Sequence, residues 1–105
     1  MSPPTFRLTP SAERDLGQIW QYIAQDSEQA ANRVLSAIEK ALWRIVETPG
    51  IGHLREDLSS CRSRFVLVHS YLIVYRLETT PLLILRVLHA ARDVQSLLDC
   101  PPDEV

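Results

Sequence analysis

Chemistry in this chain of 105 residues would have to come from arginine and histidine. Arg55, Arg62, Arg64, Arg76, Arg86 and Arg92 crowd positions 53–92, which hold three acids and no lysine, for a local charge of +3. Guanidinium groups are planar, permanently charged donors that grip phosphate or carboxylate through paired hydrogen bonds. The segment therefore suits an anionic partner, although a solvated sheet edge accounts for the same arginines. His89 adds an imidazole in "HAARD" at the end of an apolar run. There it can serve as acid or base near neutral pH, or hydrogen-bond the backbone in a structural role, which is the commoner use of a lone histidine.

Other chemistries have no residues to run on. The chain contains no G-x-S-x-G, no phosphate-cradling glycine loop and no H-E-x-x-H, and its three glycines are too few to build tight ligand loops. His53, His69 and His89 lie on separate elements, and neither Cys61 nor Cys100 stands at ligand spacing from a histidine. Neither a metal nor another cofactor is expected. Two cysteines, one in a polar loop and one in a proline-rich ending, do not make a disulfide framework and fit a reducing cytoplasm.

The elements that must position these residues follow from periodicity. Residues 5–8 read as a short strand. Thr9-Pro10 then pairs a capping side chain with the proline tolerated at a first helical position. Ala12, Leu16, Ile19, Trp20 and Ile23 recur at helical spacing. Asp26-Ser27, with Gln29 three after Asp26, predicts the start of a second helix through a capping box. Its apolar stripe of Ala31, Val34, Leu35, Ile38, Ala41, Leu42 and Ile45 ends at Thr48-Pro49-Gly50. So short a connection makes the helices an antiparallel pair.

From Arg64 the pattern turns to β-branched and aromatic runs, "RFVLV", "YLIVYRL" and "LLILRVLH", separated by turn residues and predicting antiparallel hairpins. Strict alternation in the last run would put Leu83, Leu85, Val87 and His89 on one face and Leu82, Ile84, Arg86 and Leu88 on the other. Both faces are mostly apolar, which places this strand centrally and leaves Arg86 either exposed or paired in a buried network, since buried charges persist only with partners. Leu35, Ile38, Leu42, Val74, Tyr75 and Leu85 are expected to pack helices against sheet. Trp43, one position off the stripe, is expected at the boundary of the core, where it can also anchor a partner. The fold class is α+β: a short N-terminal strand, an antiparallel helical hairpin on an antiparallel sheet, and a short C-terminal helix from Asp93 through Val94, Leu97 and Leu98. One domain over residues 1–105 is expected, ordered over about 5–98, with 99–105 a flexible, acidic tail.

Net charge is −2 and the pI 5.9, so the molecule as a whole has no pull toward nucleic acid. Residues 1–7 lack the pattern of a signal peptide, and no apolar stretch reaches membrane-spanning length. A cytoplasmic protein without membrane contact is expected.

Four stretches, "LTPSAERDLGQIWQYIA", "PGIGHLREDL", "RFVLVHSYLIVYRL" and "ILRVLHAARDV", resemble the ParE-like toxins of the RelE/ParE superfamily of bacterial type II toxin–antitoxin modules, over about residues 5–98. The last, with Arg86, His89 and Arg92-Asp93, is the most specific. The resemblance implies a toxin neutralised in a hetero-oligomer by a cognate antitoxin, and inhibition of DNA gyrase by binding, with no catalysis by the toxin. It also implies an alternative, because related RelE-like members cleave messenger RNA on the ribosome; His89, Arg86, Arg92 and Arg64 would then be the catalytic set. The single lysine and acidic pI depart from that second pattern, and direct nucleic-acid binding by the chain alone is not expected. Candidate contacts to target or antitoxin are Arg62, Arg64, Arg86, His89, Arg92 and Trp43.

Overall fold

The computed structural model of the chain describes residues 6–51, 53–54, 63–76 and 81–93. Strand β1 (Phe6–Leu8) leads into helices α1 (Pro10–Ala24) and α2 (Glu28–Glu47), then a 3-10 turn (Pro49–Ile51) and strands β2 (His53–Leu54), β3 (Ser63–Val68), β4 (Tyr71–Arg76) and β5 (Leu82–His89). Both helices start where a side-chain oxygen can take an orphan N–H. Thr9 Oγ1 accepts from Ala12 N at 3.1 Å, with Pro10 at the first helical position. The cap of α2 is Ser27, whose Oγ accepts from Ala30 N at 3.1 Å. The cap therefore lies one residue later than the expected box at Asp26 and Gln29, because Asp26 N still bonds back to Ile23 O at 3.1 Å to close α1. Trp20 Nε1 donates to Asn32 Oδ1 at 2.9 Å across the hairpin.

The sheet runs in the order β1-β5-β4-β3-β2 and is mixed. β2 to β5 pair antiparallel with their neighbours, whereas β1 lies parallel to β5, Leu8 opposite Ile84. The three strands read as antiparallel hairpins pair that way, and the short N-terminal strand, whose pairing the sequence left open, joins them as a parallel edge. Hairpin reasoning governs only consecutive strands, and the β1–β5 pairing joins opposite ends of the chain.

Strand faces also need correction. Tyr75 pairs with Ile84 and Val74 with Arg86, so Leu85 is an extra residue that bulges β5. Leu82, Ile84 and Val87 consequently join Ile19, Ile38, Leu42, Ile73 and Tyr75 in the core under the helices, while Leu83, Leu85 and Leu88 join Phe65 and Val74 on the other face. Strict alternation breaks after Leu85. Of the expected core, Ile38, Leu42, Tyr75 and partly buried Leu35 pack helices on sheet, but Val74 and Leu85 belong to the second cluster; neighbours such as Val74 and Tyr75 cannot share a face. The helix expected beyond Asp93 and the flexible tail at 99–105 lie outside the described residues, as do Arg55, Arg62, Cys61 and Cys100. Among the described residues no helix is long and apolar enough to cross a membrane.

Candidate functional site

β1 is three residues long and β5 eight, so β1 covers only the first part of its neighbour. Side chains close the rest. Thr9 N donates to Ile84 O at 3.1 Å, and its hydroxyl donates to Leu85 O at 2.8 Å while capping α1. One turn into α1, buried Asp15 takes over: Oδ2 accepts from Val87 N at 3.0 Å and Arg86 Nε at 2.7 Å, and Oδ1 from Arg86 Nη2 at 3.0 Å. Arg86 is thus held in a two-pronged ion pair, the paired role its place in an apolar strand called for.

β5 ends in a turn built around His89. Its N–H donates to Asp93 Oδ2 at 2.9 Å, its carbonyl accepts from Asp93 N at 2.9 Å, and its Nδ1 accepts from Ala91 N at 3.2 Å and Arg92 N at 3.0 Å. With Nδ1 an acceptor, the neutral ring carries its proton on Nε2. The Tyr71 ring meets the imidazole edge to face at 5.4 Å. The structural role for His89 is the one the geometry displays.

Arg92 emerges from that turn with its side chain 54% exposed, its Nε 3.5 Å from Asp93 Oδ1 and its guanidinium 5.6 Å from the centre of the Tyr22 ring. Tyr22 is itself 62% exposed. Arg64 stands apart, opposite Tyr75 and hence level with Ile84, whereas His89 is level with Tyr71 and Val68. Four residues along β3 and two strand spacings separate them, about 13 Å by about 10 Å. His89 and Arg92 share the turn after β5; Arg86, three residues back along the strand, is on Asp15, and Arg64 stands on β3.

Trp43 lies at the other end of β5. It is 45% exposed, packs edge to face on Phe6 at 5.0 Å, and lines an open groove of about 280 Å³ between β1 and α2. Phe6, Leu8, Leu16, Leu35 and Leu42 line the groove too, and Glu39 is its one charged residue among those described. The arrangement is a concave apolar surface with an aromatic rim, suited to a partner's apolar side chains. No group of three metal-ligating side chains occurs among the described residues.

Sequence reasoning missed Asp15 and Tyr22. Asp15 carried a signal: it falls on the apolar stripe between Ala12 and Ile19, where a carboxylate must find a buried partner. Tyr22 carried none, since the residue it meets is far along the chain. The sequence pattern of the ParE toxin of type II toxin-antitoxin system, parDE, matches residues 6–94, from the first strand to just past the His89 turn. No curated protein matches the chain. With elements, seam and terminal turn all inside the matched span, the chain belongs to the ParE toxin family of type II toxin–antitoxin systems.

Proposed function

We propose that this toxin acts in the cytoplasm by binding DNA gyrase and stalling it on DNA, without chemistry of its own, and that a cognate antitoxin neutralises it by seating on the Trp43 groove. The observation that carries a binding mechanism is how the alternative nuclease residues are employed. Cleaving RNA requires a group that activates the 2′-hydroxyl and others that meet developing charge, convergent on one phosphate. His89 Nδ1 takes two backbone N–H groups and Nε2 carries the proton, which leaves the neutral ring no lone pair to act as base; Arg86 is held by Asp15, and Arg64 is on a different part of the sheet. A net charge of −2 also gives little purchase on a ribosome.

The antitoxin assignment draws on the groove, whose exposed Trp43 over leucines offers an anchor for an apolar segment. The test adds purified protein to a gyrase supercoiling reaction and, separately, to messenger bound on ribosomes. Inhibited supercoiling with intact messenger is expected. Codon-dependent cleavage with supercoiling untouched would overturn the proposal in favour of the RelE-like reaction.

A further inference from the structure

We infer that Tyr22 and Arg92 form the contact through which the toxin holds its protein target, on a face separate from the antitoxin groove; the inference rests on the binding mechanism proposed above. Tyrosine and arginine are the residue types that dominate binding energy at protein interfaces. Here they come as a preassembled pair, a guanidinium 5.6 Å above an exposed ring, and each costs little ordering on binding because the other already positions it. Around Tyr22 the exposed residues of α1 and its C-terminal cap include Gln18, Gln21 and Gln25, with exposed Asp26 one turn on, a largely polar surround like the rim of a protein interface. Arg92 keeps donors for a carboxylate, since its one ion pair among the described residues, to Asp93, is long at 3.5 Å.

The charge at this end favours a protein over a nucleic acid. Among the described residues of α1 and of the turn after β5 the cations are Arg14 and Arg92, Arg86 of β5 being held by Asp15, whereas a polyphosphate backbone needs several. The partner surface this pair fits has a carboxylate beside an apolar patch. Six residues of β5, one of them the bulged Leu85, lie between the level of Phe6, beside Trp43, and His89, about 20 Å of strand, so one face can be altered without the other.

The experiment compares Tyr22→Ala, Arg92→Ala, Tyr22→Phe and Trp43→Ala with the wild type. Each is read for inhibition of gyrase supercoiling, growth arrest on induction, and affinity for the antitoxin encoded in the neighbouring reading frame. Tyr22→Ala and Arg92→Ala are expected to weaken inhibition and growth arrest by about tenfold or more while antitoxin affinity stays at the wild-type value, Tyr22→Phe to keep inhibition, and Trp43→Ala to show the reverse split. Unchanged antitoxin affinity certifies the fold of the Tyr22 and Arg92 variants, and unchanged inhibition that of Trp43→Ala. Full inhibition by Tyr22→Ala and Arg92→Ala, or an equal loss of inhibition and antitoxin binding, would overturn the inference while leaving the gyrase reading intact. A wild type that inhibits neither supercoiling nor growth would remove that reading and the inference with it. Cleavage of ribosome-bound messenger by the wild type, run alongside and lost in Tyr22→Ala and Arg92→Ala, would assign the pair to RNA instead and overturn it also.

Discussion

The two halves of β5 are closed on their outer side by different means. Residues 82–84 pair with the backbone of β1, whereas Leu85 and Val87 are met by the side chains of Thr9 and Asp15. Backbone pairing is nearly indifferent to which side chains stand on the strand. Closure by a hydroxyl and a carboxylate is not, because each polar group serves two partners at once: Thr9 caps α1 and holds Leu85 O, and Asp15 holds Val87 N and Arg86. The half that carries the candidate site thus depends on single residues, and α1, which supplies both Asp15 and Tyr22, is tied to it directly.

Breaking the side-chain closure should cost more than disturbing anything beside it. Asp15→Ala leaves the Val87 N–H without its carboxylate acceptor and removes the two-pronged ion pair from Arg86. Losing one member of a buried pair costs about 3–5 kcal/mol, and we expect about 3 because Arg86 remains 31% exposed to water. Urea midpoints at unchanged m-value would measure it. In a double-mutant cycle, removing Arg86 as well should recover part of that loss, and strict additivity would show that the pair is not coupled. Thr9→Val keeps the shape and deletes the hydroxyl. It should cost about 2 kcal/mol, a lost cap plus an unsatisfied carbonyl. Asp15→Asn retains an acceptor for Val87 N but not the charge, and should fall near the weakening of one charge-assisted bond, about 1–2 kcal/mol.

The smallest effect should have the opposite sign and arise across the sheet. His69 occupies the two-residue turn between β3 and β4 with a left-handed φ of 54°. Glycine adopts such a conformation without strain, so His69→Gly should leave the fold intact and stabilise it by a few tenths of a kcal/mol, up to about 1, seen as a small rise in the urea midpoint. A loss of stability there would mean that the imidazole of exposed His69 makes a contact worth more than the strain.

Much of this architecture was legible in the sequence for local reasons. Helical periodicity and Thr9, Ser27 and Pro49 delimit the hairpin, and the β-branched runs with His69-Ser70 between two of them delimit β3 and β4. What was not legible is non-local. The parallel β1–β5 pairing and the bulge at Leu85 depend on contacts between chain ends, and the bulge moved Val87 to the opposite face from Leu85. Of the candidate site, Arg86, His89 and Arg92 were visible as residue types, and the need of Arg86 for a partner was visible too. That the partner is Asp15, that His89 serves the backbone, and that Tyr22 sits beneath Arg92 required the fold.

The claim that the toxin acts by binding is tested most directly by His89→Asn in a gyrase supercoiling titration run beside a ribosome-bound messenger assay. Asparagine keeps an oxygen acceptor for the N–H groups of Ala91 and Arg92, so the turn that presents Arg92 survives, while the imidazole's capacity to move protons is gone. The account predicts inhibition within about threefold of the wild type, since losing a general acid or base would cost about 10²–10⁴-fold. A loss of that larger size in messenger cleavage, in a variant still folded and still bound by its antitoxin, would contradict it and make His89 a catalytic residue.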